Sequence, residues 1–362
     1  MELGSVLKKI QDTVQTSVEE IKGMVKEHTL REIDIKVCML GARGVGKTSV
    51  LTSIFYDGNS KDGFYGTKIR LFTTPDTGAE LNKQRERLSD VFKHRENIAA
   101  IGGTSGVSEF KLQLGMLNDE ANINLLITDY PGEKIVTDEK YVAERIKESQ
   151  VVLVAIDTPY LMEDGGIHDE EKNQTSIIKE FLLKNVGNLQ EKIILFVPLK
   201  CEKYLDLNRN KEQRNDCSKL LADKVESQYK DVVDGLEKSG NVAVAITPIL
   251  SMGGVAFDHF ETNSEGGTGA SYKFYDGKTA DGADAKYAPL FCSQPIFYLL
   301  SFVTRQYKLQ RNSVDFLGKI LQNFENVDDF YEEMVKIDKR RLCGTNGYCV
   351  LAGKDLFFTK NK

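Results

Sequence analysis

The stretch from Ile35 to Phe55, IKVCMLGARGVGKTSVLTSIF, constrains the fold of this chain more than any other. It reads as a buried strand, a glycine-rich turn and the start of a helix. An apolar run, Val37 to Leu40, precedes the turn, and Val50, Leu51, Ile54 and Phe55 follow it at helical spacing. Within the stretch, Gly41, Ala42, Arg43, Gly44, Val45, Gly46, Lys47 and Thr48 satisfy G-x-x-x-x-G-K-[ST], the phosphate-loop pattern. Phosphate needs each residue type for a separate reason. Glycines let successive N–H groups point inward at an anion, and the helix beginning near Lys47 adds the positive end of its dipole. Lys47 is then the partner of the outer phosphates, and the Thr48 hydroxyl a ligand for Mg²⁺.

Downstream, apolar runs and charged helical segments alternate. Lys68 to Thr74 reads as a short strand, and Gly78 to Glu96 as a charged helix. Val107 to Met116 alternates apolar and polar residues and is followed, after the turn-forming Asn118, Asp119 and Glu120, by a strand at Ile123 to Thr128, so the two form an antiparallel hairpin. The second strand runs into Asp129, Tyr130, Pro131, Gly132 and Glu133. An acidic residue closing an apolar strand beside a phosphate loop is where a Mg²⁺ shell needs its carboxylate, and the Gly132 N–H can approach a terminal phosphate with no side chain in the way. Val151 to Ile156, Lys192 to Val197 and Val242 to Ile246 are continuous apolar runs of the kind buried in parallel sheets. Helices are expected around Glu171 to Asn185 and over Asn208 to Lys238. This alternation predicts an α/β fold, a mostly parallel sheet flanked by helices with its ligand at the carboxyl ends of the strands.

The ends and insertions are less regular. Leu3, Leu7, Ile10, Val14, Ile21 and Met24 make residues 1–32 an amphipathic helix that packs on its own domain, docks on a protein partner or pairs with a second copy. Ser251 to Tyr287 is a long, polar, glycine-rich loop. Pro295 to Tyr307 is an apolar helix, Val314 to Ile337 one or two amphipathic helices, and Tyr348 to Ala352 with Leu356 to Phe358 a hairpin. A net charge of −6 with no long basic run argues against a nucleic-acid surface. No apolar stretch reaches membrane-spanning length and the first residues lack a signal-peptide pattern, so a cytoplasmic location is expected. Six scattered cysteines fit that compartment, and Cys343 with Cys349 lacks the second ligand pair a zinc site needs. The four histidines, His28, His94, His168 and His259, sit in polar surroundings and are expected on the solvated surface.

From Glu32 to Leu309 the motifs and their order resemble the P-loop GTPases of the Ras-like and translation-factor superclass, the TRAFAC class. GARGVGKT is similar to the family's phosphate loop, which implies nucleotide contacts from Gly41, Ala42, Arg43, Gly44, Val45, Gly46, Lys47, Thr48 and Ser49. DYPGE is similar to the D-x-x-G switch motif, implying that Asp129 holds Mg²⁺ through water and Gly132 contacts the γ-phosphate. The family's switch threonine fits Thr104, with Thr74 the weaker alternative, and with Thr48 and Asp129 it completes the implied metal set. At the base-reading N/T-K-x-D position stand Leu199, Lys200, Cys201 and Glu202. Lys200 can stack on the base, and Glu202 can accept from guanine N1–H and the 2-amino group, although Leu199 replaces the usual Asn and adenine stays open. The last family motif falls near Ser251 to Gly253, with Ser251 and Met252 beside the base. Glu133 stands where Ras-like enzymes carry a water-orienting glutamine, so turnover is slow or relies on Arg43 or a partner's arginine. The insertions and C-terminal extension look more like larger prokaryotic double-GTPase-type proteins.

The resemblance implies GTP/GDP and Mg²⁺ as cofactors and a GTP-hydrolysing switch, with Lys47, Thr104, Gly132 and Glu133 at the reacting phosphate. Two other classes stay open: a nucleotide-binding interaction module with little hydrolysis, and an ATP-using P-loop protein. The expected organisation is an N-terminal helix at 1–32, a GTPase domain at 33–310 with insertions at about 58–103 and 252–288, and a C-terminal helical extension with a hairpin at 311–362.

Overall fold

Side chains alternate across the first strand, β1 (Ile33–Leu40), so that Ile35, Val37 and Met39 join one apolar core while Cys38 and Leu40 join another. A strand buried on both faces needs helices on both sides, and the rest of the chain supplies them. The computed structural model describes residues 33–58, 66–95, 107–117, 123–129, 131–189, 191–205, 211–240, 242–262, 266–276, 278–279, 281–309, 332–333, 335–336 and 349–357. The expected helix at residues 1–32 and most of Val314 to Ile337 lie outside these.

In chain order, β1 leads into α1 (Lys47–Gly58), β2 (Ile69–Thr73), α2 (Pro75–His94), β3 (Ser108–Met116) and β4 (Ile123–Asp129). Then come α3 (Lys134–Thr137), α4 (Glu139–Glu148), β5 (Val151–Asp157), α5 (Thr158–Met162), α6 (Asp169–Asn173), α7 (Thr175–Lys184) and β6 (Ile193–Leu199). The chain continues through α8 (Lys211–Gln228), α9 (Lys230–Ser239), β7 (Ala243–Ile246), β8 (Val255–Thr262), β9 (Thr268–Phe274), α10 (Gln294–Leu309) and β10 (Cys349–Ala352). Eight strands form one sheet in the order β10-β7-β6-β5-β1-β4-β3-β2. The five from β7 to β4 are parallel, and antiparallel strands cap both edges. The expected fold class is the one observed: a mostly parallel α/β sheet flanked by helices.

Every residue of β5 and β6 is buried, which is why both read as unbroken apolar runs. The apolar helix α10 lies on the first core with Phe297, Tyr298, Leu299 and Leu300, and α4, α7 and α9 cover the second. The β3–β4 hairpin forms as its alternation requires. The short strand near residue 70 also forms and extends the sheet beyond β3.

Four expectations are corrected. The helix read around Glu171 to Asn185 is two, α6 and α7, because Gln174 takes a left-handed conformation (φ 50°) between them. The helix over Asn208 to Lys238 is likewise broken, at Tyr229 (φ −107°, ψ 18°), whose ring packs on Phe196 of β6 with centroids 4.6 Å apart. The glycine-rich loop carries an antiparallel hairpin, β8–β9, whose polar residues hid its period. The C-terminal hairpin is absent from residues 349–357: β10 pairs with β7, and Lys354–Leu356 is a 3-10 turn.

Candidate functional site: the phosphate loop and its neighbours

At the carboxyl end of β1 the chain turns through Gly41, Gly44 and Gly46, all at positive φ (145°, 75° and 114°), a conformation other residues adopt only with strain. The turn delivers Lys47 to the first position of α1, where Val50, Leu51 and Ile54 anchor the helix in the core. The buried Lys47 ammonium donates to Gly41 O at 2.8 Å and Ala42 O at 3.1 Å, so it lies across the mouth of the loop. Burial pushes its pKa below the ordinary lysine range, partly offset by Asp129 and Glu133.

Thr48 donates its hydroxyl hydrogen to Asp129 Oδ2 at 2.5 Å. Asp129 ends β4, in register with Met39 of β1, so adjacent parallel strands bring the two together. Burial raises the Asp129 pKa, opposed by the Thr48 hydrogen bond and the Lys47 charge. Its second oxygen, Oδ1, is buried with no hydrogen-bond partner among the described residues. Gly132 lies against the loop: a Cβ there would fall 2.4 Å from Arg43 N and 2.5 Å from Ala42 C. Glu133 reaches the outside of the same loop, where Arg43 Nη1 donates to its Oε1 at 3.2 Å in an exposed pair.

The base-reading candidates collect at the ends of β6 and β7. Leu199 is buried against the loop, and a Cβ on Gly46 would meet its Cδ1 at 3.4 Å. Lys200 donates to Asp157 Oδ2 at 2.5 Å and sits 5.5 Å from the Tyr272 ring centroid. Burial works against the Lys200 charge, but the Asp157 carboxylate outweighs it and holds the pKa above the ordinary range. Glu202, 3% exposed, accepts from Met252 N at 2.9 Å and Gly253 N at 3.0 Å. Ser251 O lies 3.0 Å from the Ser53 hydroxyl of α1, which also reaches Ser49 O at 2.9 Å, so the three candidate segments share one network.

Thr104 lies outside the described residues. Thr74 precedes Pro75 as the N-cap residue of α2 and lines a groove with Lys36, Arg145 and Glu148 that includes no phosphate-loop residue. His168 is not a solvated surface residue: its ring packs edge-on to Phe260 (4.7 Å between centroids) beneath the β8–β9 hairpin. His94 and His259 are exposed as expected.

Sequence reasoning missed Asp157, although an acidic residue closing an apolar strand is the signal that marked Asp129. It also missed Tyr160 and Tyr272. The hairpin brings Tyr272 over Lys200, and the Tyr160 hydroxyl donates to Thr268 O at 3.0 Å. No local pattern announces these contacts, because they depend on where the insertion folds back.

No family model matches the chain, and no curated protein does. Among solved structures it is similar to the S. cerevisiae Ski7 GTPase-like domain bound to GDP and inorganic phosphate, with 14% identity, a TM-score of 0.40, and coverage of 82% of this chain and 53% of that one. The same domain bound to GTP gives 14% identity and a TM-score of 0.35 over 60% of this chain and 43% of that one. Sup35 complexed with GDP gives 11% identity and a TM-score of 0.28 over 61% and 38%. The chain thus spans about half the length of the first of these structures. Among the described residues no helix is long and apolar enough to cross a membrane.

Proposed function

We propose that this chain binds a purine nucleotide, GTP and GDP in preference to ATP, and hydrolyses GTP slowly as a Mg²⁺-dependent switch of the TRAFAC class. The observation that carries the reading is the meeting of Thr48, Asp129 and Gly132 around one loop, with the switch glycine against the backbone of Ala42 and Arg43. A loop that only turned the chain would need neither a buried carboxylate with an unpartnered oxygen nor a buried lysine. The donor set fits Mg²⁺, which takes one or two protein oxygens and fills its octahedron with phosphate and water. When bound, the ion neutralises charge on the outer phosphates.

The protein's own groups have distinct tasks in this reading. The loop N–H groups and Lys47 hold the β- and γ-phosphates, Thr48 and Asp129 present oxygens to the cation, and the Gly132 N–H meets the γ-phosphate. Loss of that phosphate frees the DYPG segment from the loop. Ser108, the first residue of β3, pairs with Asp129, so the chain enters the sheet level with the carboxylate. This supports Thr104, four residues upstream in sequence and outside the described residues, as the switch threonine of this reading. Glu202, Lys200 and the Ser251–Met252 segment form the base side. The GTPase unit runs from residue 33 to about 310 with β10 completing its sheet, and residues 1–32 offer a helix to a partner or a second copy.

One observation favours a second reading, a nucleotide-binding module with little turnover. Glu133 is a carboxylate where a water-orienting amide is expected, and it is engaged by Arg43. Single-turnover hydrolysis of GTP and ATP with Mg²⁺, blanked against Lys47→Ala, tests all three. GTP cleavage above the blank supports the switch, tight GTP binding without cleavage supports the module, and preference for ATP overturns the base assignment.

A further inference from the structure

Lys172, in α6, carries a cation to the phosphate loop that no motif contains. A Cβ on Gly44 would lie 2.9 Å from Lys172 Nζ, so the ammonium occupies the space directly beside the loop. The side chain passes Tyr160, with Nζ 5.8 Å from the ring centroid. Among the described residues it has neither a hydrogen bond nor an ion pair. Of the nearby carboxylates, Asp157 gives Oδ2 to Lys200 and keeps Oδ1 buried without a hydrogen bond, and Glu171 Oε1 accepts from the Thr268 N–H at 2.7 Å; neither is within ion-pair distance of Lys172.

The position is built. Asn173, the next residue, is clamped to the end of β5: its Oδ1 accepts from Asp157 N at 2.7 Å and its Nδ2 donates to Asp157 O at 3.1 Å. The same Nδ2 reaches Asp169 Oδ1 at 2.8 Å, and Gln228 Nε2 of α8 donates to Asp169 Oδ2 at 3.0 Å. Lys172 is thus held by a network that spends several buried polar groups on fixing one five-residue helix. Burial pushes the Lys172 pKa below the ordinary range and Lys200 adds repulsion, against the opposing pull of Asp157 and Glu171. Its charge also bears on Lys47. A half-buried ammonium beside two other lysine charges, held by a ring face and by carboxylates beyond ion-pair distance, is an arrangement that a directly bound anion would relieve.

The Lys172 charge bears on both Lys47 and Lys200, which in the reading above serve the outer phosphates and the base. We propose that Lys172 is a binding residue for the α-phosphate of the nucleotide, supplied in cis from the segment between β5 and α7. This rests on the nucleotide-site reading above, and the test separates the two.

The test is displacement of a fluorescent GDP from the full chain by GDP, GMP and guanosine, in the wild type and in Lys172→Met, Lys172→Arg and Lys47→Ala (the adenine series replaces these if ADP binds better). Methionine keeps the apolar stem along Tyr160 and removes the charge. Lys172→Met is expected to weaken GDP and GMP by the same factor, about tenfold or more, and to leave guanosine unchanged. Lys172→Arg is expected to recover most of the loss. An unchanged GDP affinity, an equal loss for guanosine, or a loss for GDP with GMP spared overturns the α-phosphate role while Lys47→Ala still abolishes GDP binding. If the wild type binds no nucleotide, or Lys47→Ala binds it normally, the nucleotide site itself falls and this role with it.

Discussion

The Gly253 N–H donates to Glu202 Oε1 across 3.0 Å, and the Met252 N–H donates to the same oxygen. One carboxylate therefore stands at the proposed base-reading position and also fixes the Met252–Gly253 loop. Replacing Glu202 by alanine removes both functions at once, whereas glutamine keeps an oxygen for the two N–H groups. Only its other end changes, from an acceptor to an amide donor facing the N1–H and 2-amino donors of guanine. Glu202→Gln is expected to cost GDP roughly 10- to 100-fold in affinity and leave ADP unchanged. Calorimetric titration with both nucleotides checks this, and equal losses would mean the residue serves only the loop.

Asp129 links stability to pH. Its pKa in the folded chain is raised, chiefly by burial, so the folded state holds its proton in a window just above the ordinary carboxylate pKa where the unfolded state has released it. The Asp129 contribution to stability therefore falls as pH rises through that window. Asp129→Asn, neutral at every pH, is expected to melt higher than the wild type at neutral pH without nucleotide and to lose the advantage under acid. The same variant should lose Mg²⁺-dependent nucleotide binding. Thermal unfolding from about pH 4 to 8 gives the first result.

Gly132 has no room for a side chain. The Cβ of Gly132→Ala would sit 2.4 Å from Arg43 N, a backbone atom that cannot swing aside, so the DYPG segment and the phosphate loop must separate. The expected cost is about 1–3 kcal/mol in stability together with loss of GTP over GDP preference. Denaturant unfolding and paired nucleotide titrations measure the two effects.

Asp157 is fully buried and Lys200 is its charged partner. Lys200→Met strands the carboxylate and is expected to destabilise the fold by about 3 kcal/mol, whereas the double variant Lys200→Met/Asp157→Leu recovers much of that. Denaturant midpoints of the three proteins complete the cycle.

Arg43 and Glu133 make an exposed pair, 65% and 46% accessible, so their charges are well screened. Arg43→Ala is expected to change stability by less than about 0.5 kcal/mol. Glu133→Gln puts an uncharged amide at the proposed phosphate side of the loop and is expected to raise the single-turnover rate for GTP. A lower rate would assign the carboxylate a base role instead.

The strand, loop and helix around Lys47 were readable because three constraints coincide there: an apolar run on both faces of a sheet, glycines at positive φ, and an apolar stripe at helical spacing. Asp129 was readable because it ends such a run. Lys172 was not, since DEEKN offers no periodicity and its meaning comes from Asn173 fastening that turn to β5. The β8–β9 hairpin was hidden by polar residues on strands that are half covered; the strand at β10 was readable, but not its pairing with β7, which is remote in sequence.

That remoteness sets an order on folding. β10 lies antiparallel to β7, and Phe357 just beyond it stacks edge-on to Tyr298 of α10 at 5.6 Å. A loop of about a hundred residues must close before this edge forms, which makes it a late and slow contact. On the ribosome, the chain would present its phosphate loop and all five parallel strands while the β7 edge still lacked its cover. Through that interval an uncapped parallel edge is open to pairing with a neighbouring strand, and β10 is the segment that ends the exposure.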